Sequence, residues 1–524
     1  MIVIGLDGAT WDIIDPMMER GELPTFSRLV AEGVRASLVA VPPLSSPVVW
    51  TTFATGRFGR VHGVLDHTFP YVPGPKRRVG SLQRRAPTIW NIASDAGDSV
   101  GVIGYFATHP PEVVNGVMIS DRAAEGASGG GYPAELTTLI EQERERLRTR
   151  EVKQELRQRY LPWAFDPRAA ERPEDPYHDV TRIVRGRIDG RSRYEEFVER
   201  VAQQMIVREF DLFMVYLRII DHAGHATWMF FDDSEYEHPA EPFAKQLLND
   251  IIPATYRHTD DYLGRLLEQA SDRANVVILS DHGFGPAVDY WKIRRENLQD
   301  LSGNHRPNGI FLAHGPDIRP GRVEGMTLVD VTPNLLALRG LPISKELPGA
   351  VREDLFRPNF LAEQPIEWVS RFRNDWQFAD VAEPTSEAVE SEALKDLAAL
   401  GYVGGESSVA VDTPDETMDF WDIETRLKVH ALLGELLFYL HRDDLPTIEG
   451  LIALTARHDP KLARRLPWMT LNTLEQWQPY FEFELVAAET LGKFEARYAD
   501  ELLDHRQRQA RREAEQAAND SASD

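Results

Sequence analysis

The sequence predicts an α/β fold, in which helices flank a mostly parallel central sheet on both faces. Short apolar strand patterns at residues 2–6, 100–103 and 212–217 alternate with helical patterns along the chain before residue 403. Such alternation is typical of βαβ units, whose crossover helices cover both faces of a parallel sheet. In addition, polar residues of the kind that bind metal ions directly follow several of these strands.

The first elements are short and are bounded by turn residues. Residues 2–6 form a buried-strand pattern that ends at Asp7-Gly8. Residues 24–34 indicate a helix with proline at its start and glycine at its end, and residues 34–41 indicate a second strand. A proline- and serine-rich segment then leads into a helix with Pro47 as its first residue and a stop near Gly56.

The alternation is interrupted and then resumes. A charged helix is predicted at 135–160, followed by a segment rich in proline, aspartate and arginine. Beyond residue 205 the pattern predicts strands at 212–217, 275–279 and 309–312. It also predicts a helix around 246–270 and one that starts at Thr332-Pro333 and ends before Gly340.

Shifts in composition divide the chain into six predicted segments. They are a catalytic core in two parts (1–121 and 206–403), a helical insertion or cap (122–205), a linker (404–416), an all-α C-terminal region (417–508) and a polar tail (509–524). A short helix is predicted at 391–403, and the tail is predicted to lack regular structure. The C-terminal helices are a candidate surface for self-association, and the sequence leaves the oligomeric state open.

Composition and charge exclude several classes of function. The 524 residues carry a formal net charge of -25, which argues against long nucleic acids and anionic membranes as partners. The chain contains no cysteine, so it has no disulfide, thiolate metal site or thiol nucleophile. Neither a signal peptide nor a transmembrane segment is predicted, and we therefore expect a cytoplasmic protein.

Carboxylates and imidazoles recur where predicted strands end. They are Asp7, the pair Asp221 and His225, the pair Asp281 and His282, and His305. Each one alone is weak evidence, because a capping aspartate or a loop histidine explains it equally well. Together they form a ligand set that suits zinc or manganese, and two such ions could bind both oxygens of an in-line phosphoryl displacement.

Two serines precede the helix that ends near Gly56. Ser45 and Ser46 stand just before Pro47, at the positive end of the helix dipole, where a hydroxyl could become an oxyanion or hold a phosphoryl group. An ordinary N-cap serine is the alternative interpretation. The metal-ligand pattern elsewhere in the chain favours the nucleophile.

These motifs, in this order, resemble the type I phosphodiesterase and nucleotide pyrophosphatase branch of the alkaline phosphatase superfamily. The resemblance covers roughly residues 1–400, and it implies an alkaline-phosphatase-like sheet sandwiched by helices. The motifs are Gly5-Leu6-Asp7-Gly8, the segment from Ser46 to Gly56 with His62-Gly63, the segment from Asp221 to His225, Asp281-His282-Gly283, and His305 before the strand at Gly309.

The resemblance implies a role for each candidate ligand. Asp221, His225 and His305 look like the ligands of one metal ion. Asp7, Asp281 and His282 look like the ligands of a second ion, which also takes the oxygen of Ser46. Members similar to this chain usually carry two zinc ions, and manganese is an alternative. His314 is a rival to His305, but the family's ligand precedes the strand and His314 follows it.

The resemblance also leaves choices open around the nucleophile. Counting ten positions back from Gly56, as in related members, gives Ser46, whereas counting from the proline gives Ser45. The family's phosphate-holding asparagine is replaced by Val49, so the oxyanion would need the metals, the N–H groups of Val48 and Val49, or another side chain. Candidate substrate contacts are Arg218, Tyr105 and His109, with Arg57 and Arg60 as further candidates for the oxyanion.

We therefore predict a two-metal phosphoric ester hydrolase, specifically a phosphodiesterase that acts through a phosphoseryl intermediate. A phosphomonoesterase or phosphotransferase using the same site is the alternative. A third reading is a helical scaffold with a relict hydrolase domain, which the complete ligand set argues against. The expected substrate is a small phosphodiester or a nucleotide.

Overall fold

The computed structural model describes residues 1–69, 77–161, 177–236, 239–287, 302–373, 423–478 and 485–523. The chain divides into two compact units: the first comprises residues 1–40 and 44–408, and the second comprises 41–43 and 409–524. The predicted helix at 391–403 and the predicted linker at 404–416 lie outside the described residues. The six predicted segment boundaries therefore stay predictions.

The described strands of the first unit form one large sheet and three small two-stranded sheets. The strands are β1 (Ile2–Leu6), β2 (Val34–Val39), β3 (Thr68–Phe69), β4 (Arg77–Arg78), β5 (Val100–Ile103), β6 (Gly116–Ile119), β7 (Gly131–Tyr132), β8 (Leu212–Leu217), β9 (Val276–Leu279), β10 (Gly283–Pro286), β11 (Gly303–Arg306), β12 (Asn308–His314), β13 (Gly321–Arg322), β14 (Met326–Thr327), β15 (Ile343–Ser344) and β16 (Trp368–Val369).

Helices connect these strands. Within the described residues of this unit they are α1 (Trp11–Glu19), α2 (Pro24–Glu32), α3 (Ser46–Thr55), α4 (Gly59–His62), α5 (Ile89–Asp95), α6 (Leu136–Leu147), α7 (Arg150–Tyr160), α8 (Tyr177–Ile206), α9 (Ile219–Phe231), α10 (Pro242–Leu248), α11 (Ile251–Leu267), α12 (Leu328–Arg339) and α13 (Phe360–Glu363).

The large sheet runs in the order β13-β2-β12-β9-β1-β8-β5-β6-β7, with β14 also beside β2. Strands β9, β1, β8, β5 and β6 are parallel, and β12 runs antiparallel to both of its neighbours. All five residues of β1 are buried, as expected for a central strand covered on both faces. The α/β fold class with a mostly parallel central sheet is confirmed, and the carboxyl ends of β9, β1 and β8 meet at one edge.

Several element boundaries differ from the sequence prediction. The helix expected to start at Thr332-Pro333 begins at Leu328, because Thr327 and Asp330 form a capping box there and Pro333 lies inside the helix. The single helix predicted at 135–160 is two helices. Thr149 separates them and caps the second, since its side chain accepts a hydrogen bond from the N–H of Val152.

The described part of the second unit is helical. Its helices are α14 (Ile423–His441), α15 (Leu445–His458), α16 (Pro460–Ala463), α17 (Leu466–Trp477), α18 (Ala488–Arg497) and α19 (Ala499–Ser523). The expectation of an irregular tail is wrong, because α19 continues to Ser523. Its sequence is rich in alanine, glutamine, glutamate and arginine, which are strong helix formers, and Asp504 pairs with Arg508 one turn on at 3.0 Å.

None of the described helices combines the length and the apolar character that crossing a membrane requires.

Candidate metal centre

Three carboxylates lie side by side at the carboxyl edge of the sheet. Asp7 directly follows β1, and Asp281 follows β9 by two residues, after Ser280. Asp221 lies in the first turn of α9, the helix that follows β8. Because β1 pairs in parallel with both β8 and β9, the three side chains meet at neighbouring strand ends. The backbone N–H of Asp7 donates to the carbonyl of Leu217 at 2.9 Å, which fixes this alignment.

Three histidines carried by different elements lie beside these carboxylates. His225 is one helical turn beyond Asp221 on α9. His282 immediately precedes β10, and His305 lies in β11, which pairs antiparallel with β10. This pairing stacks the rings of His282 and His305, with centroids 3.7 Å apart. Residues far apart in the sequence thus share one buried cluster.

Asp221, His225 and His305 form a group that could hold one metal ion. The Oδ1 atom of Asp221 is 3.3 Å from Nε2 of His225 and 3.1 Å from Nε2 of His305. The two Nε2 atoms are 2.9 Å apart, and all three side chains are buried.

A second group consists of Asp7, Asp221 and His282, whose ligand atoms lie within 4.8 Å of one another. The Nε2 atom of His282 is 3.3 Å from Oδ1 of Asp7 and 3.5 Å from Oδ2 of Asp281. Asp221 therefore takes part in both groups, whereas the sequence assigned it to the first ion alone. The division of ligands between two ions stays a prediction.

The protonation of the imidazoles fits a metal ion. The Nδ1 atoms of His225, His305 and His282 lie 2.7–2.9 Å from backbone carbonyl oxygens. A carbonyl can only accept, so each neutral ring carries its proton on Nδ1 and presents a lone pair at Nε2. A hydrogen bond of Nδ1 to a carbonyl is the usual outer support of a metal-binding histidine. Two lone pairs 2.9 Å apart repel each other unless a cation lies between them.

The carboxylate oxygens support the same conclusion. Among the described residues, Oδ1 of Asp7 and both side-chain oxygens of Asp281 are buried without a hydrogen-bond partner, as is Nε2 of His282. Buried polar atoms without partners are rare and costly. Buried oxygen and imidazole donors of this kind suit zinc or manganese. The residues present therefore fit a divalent metal.

The pKa values of the carboxyls reflect the same crowding of negative charge. Burial and the charge of Asp221 raise the pKa of Asp7 to about 7. Burial and the charge of Asp7 raise the pKa of Asp281 well above its usual range. Three buried carboxylates ionise together only when positive charge compensates them.

The segment that leads into the two candidate nucleophiles contacts this cluster. Nδ1 of His305 is 2.7 Å from the carbonyl oxygen of Leu44, two residues before Ser46. Ser46 is the first residue of α3 and Ser45 its N-cap, so Pro47 is the second helical residue rather than the first. Both serines are buried, and the Ser45 hydroxyl has no hydrogen-bond partner within the described parts of the chain. The choice of Ser46 over Ser45 stays a prediction.

The groups expected near the oxyanion have partners within the fold. The N–H groups of Val48 and Val49 both donate to the carbonyl of Ser45, at 2.8 and 3.0 Å, so the helix itself already uses them. Arg57 donates to the carboxylate of Glu346 at 2.7 Å, which accounts for its charge. The roles proposed for these groups at the oxyanion stay predictions.

The three predicted substrate contacts are all buried. The guanidinium of Arg218 lies 3.2 Å above the ring of Tyr194, and its Nη2 atom is 3.2 Å from Glu125. Burial opposes its charge, but Tyr194 and Glu125 outweigh this and raise the pKa of Arg218 above its ordinary value. Arg218 thus has structural partners, and its contact with substrate stays a prediction.

Tyr105 and His109 are enclosed as well. Tyr105 packs against the rings of Trp50 and Tyr216, with centroids 5.8 and 5.7 Å away, and burial raises the pKa of its hydroxyl. Nδ1 of His109 is 3.4 Å from Oγ of Ser120, and burial lowers the pKa of His109 to about 3. The Tyr105 hydroxyl has no hydrogen-bond partner among the described residues, and the substrate roles of both residues stay predictions.

His314, the alternative ligand, lies at the opposite ends of the strands from the cluster. It ends β12 and pairs with Val276, the first residue of β9, whereas Asp281 follows the last. Its Nε2 atom is 3.2 Å from Glu32. Because β12 is antiparallel to β9, its start lies near the cluster and its end lies far from it. His305, which precedes β12, therefore reaches the cluster, and His314, which ends β12, does not.

Two residues near the cluster were missed by sequence reasoning. The hydroxyl of Tyr216 donates to Oδ2 of Asp7, although Tyr216 lies in an apolar strand and reads as core. His67 is buried near His305, and burial together with that neighbour lowers the pKa of His67 to about 3. It belongs to no recognisable motif, so no sequence signal marks it.

The chain was compared with known families, curated proteins and solved structures. The family model for type I phosphodiesterase / nucleotide pyrophosphatase matches residues 1–326, more than half of the chain. Murine ectonucleotide pyrophosphatase / phosphodiesterase 5 is similar over 68% of this chain and 100% of its own, with 14% identity and a TM-score of 0.39. Phosphonoacetate hydrolase from Sinorhizobium meliloti is similar over 54% of this chain and 56% of its own, with 20% identity and a TM-score of 0.32. No curated protein matches the chain.

Proposed function

We propose that this chain, which belongs to the type I phosphodiesterase / nucleotide pyrophosphatase family of phosphoester hydrolases, cleaves a small phosphodiester through a covalent intermediate on Ser46. One observation carries the proposal. The Nε2 atoms of His225 and His305 meet at 2.9 Å beside Asp221 in a buried cluster, and this arrangement suits a shared divalent cation. Residues 44–46, which lead into α3, are joined to this cluster through His305.

The proposed site holds two divalent ions, with zinc as the first choice. Asp221, His225 and His305 would hold one, and Asp7, Asp281 and His282 the other, with the Ser46 oxygen. When bound, the ions supply the positive charge that stabilises the attacking and leaving oxygens of the displacement.

The protein's own groups then have defined tasks. The oxygen of Ser46 attacks phosphorus in line and gives up its proton, the ester P–O bond breaks, and the leaving oxygen takes the electron pair and a proton and departs as the alcohol; the phosphoserine so formed keeps the second ester group. The position of Ser46 in the first turn of α3 favours negative charge on its oxygen. Water then attacks the phosphoserine, which releases the phosphate monoester and restores the hydroxyl. Tyr216 holds Asp7 by donating to Oδ2.

Hydrolysis of bis-p-nitrophenyl phosphate by zinc-loaded wild-type, Ser46→Ala and Ser45→Ala proteins tests the proposal. We expect Ser46→Ala to lose at least ~10³-fold in kcat/KM and Ser45→Ala to keep most of the activity. The reverse result would make Ser45 the nucleophile, and full activity in both variants would overturn the covalent route. Faster turnover of p-nitrophenyl phosphate than of the diester would favour the phosphomonoesterase alternative.

A further inference from the structure

The helix that carries two candidate ligands starts without a cap of its own. Helix α9 begins at Ile219 with Arg218 at the N-cap position, and the Arg218 side chain makes no capping hydrogen bond. An arginine side chain has no acceptor, so it cannot make one. The first N–H groups of any helix lack partners within the helix and need acceptors from elsewhere.

Glu195, in the middle of α8, supplies that acceptor. Its Oε2 atom accepts a hydrogen bond from the backbone N–H of Arg218 at 3.1 Å. The backbone N–H of Ile219 also bonds to this carboxyl. Glu195 is completely buried, so a carboxylate from a separate helix fills the place that an Asp or Ser N-cap normally takes.

The neighbouring residue on α8 holds the side chain of Arg218. The ring of Tyr194 lies 3.2 Å from the guanidinium carbon. The Tyr194 hydroxyl donates to the carbonyl of Gly104, directly after β5, at 3.1 Å. Two consecutive residues of α8 therefore contact Arg218, the N-cap residue of α9. Glu195 binds its backbone N–H, and Tyr194 packs against its side chain.

This arrangement is costly for the fold alone. A buried carboxyl is expensive, and Oε1 of Glu195 has no hydrogen-bond partner within the described residues. The groups around it add to the cost. Burial and the charge of nearby Glu199 raise the pKa of Glu195 to about 8, against the opposing effect of Arg218. Tyr160 and Tyr262 also lie within electrostatic reach. The hydrogen bonds that cap α9 are the stabilising contacts that this buried carboxyl makes.

We propose that Glu195 is a positioning residue for the metal centre, which by capping α9 fixes the depth and rotation at which Asp221 and His225 present their ligand atoms. Asp221 is the third residue of α9 and His225 follows one turn later, so a shift of the first turn moves both. The inference rests on the proposed function only in taking these two residues as metal ligands. It also makes α8, part of the predicted insertion, a support of the metal site.

Zinc affinity of the full chain, measured with a competing chromophoric chelator, tests the inference without requiring turnover. We expect Glu195→Ala to weaken zinc binding at least ~10-fold, as loss of an outer support of a metal ligand does. Glu195→Gln should bind within ~3-fold of wild type, because the amide oxygen still accepts from both N–H groups. The matched control is Glu196→Ala on the same helix, which breaks ion pairs with Arg146 and Arg159; within the described residues, Glu196 makes no hydrogen bond or ion pair with α9. Zinc affinity of that variant should stay within ~3-fold of wild type.

Wild-type affinity in Glu195→Ala, equal weakening in Glu196→Ala, or no rescue by glutamine would each overturn the inference. If Glu195→Ala does not fold, Glu195→Asp replaces it. Its shorter side chain withdraws the carboxylate from both N–H groups and must also weaken binding. A chain that binds zinc and responds to Glu195→Ala but hydrolyses no phosphoester would refute the proposed function and leave this inference standing. A wild-type chain that binds no zinc or manganese would refute both.

Discussion

Two charge-rich regions of the first unit differ in how their charges are matched. The ion-pair cleft, a cavity of about 540 Å³ lined by residues of α6, α7, α8 and α11, contains arginines that face acids directly. Glu196 contacts Arg159 at 2.7 Å and Arg146 at 3.4 Å, and His258 contacts Glu199 at 2.6 Å. In the metal centre, by contrast, acceptor faces acceptor, as the two Nε2 atoms at 2.9 Å show.

The matching of hydrogen-bond donors with acceptors distinguishes a functional cluster from an ordinary ion-pair network. A cleft whose donors and acceptors satisfy one another needs no ligand, and the charges in it are explained by stability. A buried cluster that holds only acceptors is incomplete, and the missing cation identifies its chemistry. The cleft is lined by more charged residues than the metal centre, so their number does not identify the functional cluster, whereas the matching of donors with acceptors does.

The largest expected contrast is between ligand and cleft substitutions. His225→Ala should weaken zinc binding and lower kcat/KM on a diester at least ~10³-fold, because it removes a metal ligand. Arg159→Ala removes a partly exposed arginine of the cleft, and kcat/KM should stay within ~2-fold of wild type. Parallel kinetics of the two purified variants checks this. Similar losses in both would show that the cleft takes part in the reaction.

Stability should change in opposite directions in the two regions. Glu196→Ala should destabilise the protein by about 1–3 kcal/mol, since it removes the acid that pairs with Arg146 and leaves Arg159 only its contact with Glu155. Asp281→Asn should stabilise the metal-free protein by about 1–2 kcal/mol, because it removes a buried, unpartnered charge. Denaturant unfolding with a chelator present gives both values. A destabilised Asp281→Asn protein would contradict the idea that the centre is incomplete without its ions.

The sequence predicted the metal centre better than its surroundings. Asp7, Asp221 and Asp281 follow parallel strands whose apolar runs are readable locally, and the sheet rule then places them together. The antiparallel direction of β12 decides between His305 and His314, and strand direction does not appear in a local pattern. The contact of Glu195 with α9 joins residues 23 positions apart in separate helices, which only the packed structure reveals.

A smaller effect concerns a buried histidine that has ordinary partners. His62 faces Thr52 Oγ1 through Nε2 at 3.1 Å and accepts from the N–H of Val64 through Nδ1 at 3.2 Å. Burial, aided by Arg84, lowers the pKa of His62 from 6.5 to about 3. Between these two pKa values His62 is protonated in the unfolded chain and neutral in the folded chain. The free energy of unfolding therefore falls as the pH drops through this window.

His62→Asn should reduce that dependence, because its Oδ1 can still accept from Val64 but does not titrate. The slope of unfolding free energy against pH should decrease by up to about 1.4 kcal/mol per pH unit below pH 6.5. Denaturant unfolding of wild type and variant at several pH values measures the difference. Identical slopes would show that His62 is protonated in the folded protein.

The most direct test of the account is to count and locate the metal ions. Crystals of the full chain grown with zinc, with anomalous data collected on both sides of the zinc edge, give both answers. We predict two zinc peaks, one in contact with Asp221, His225 and His305 and the other with Asp7, Asp281 and His282. Anomalous density elsewhere only, or none at saturating zinc, would contradict the central claim that these buried acceptors exist to bind cations.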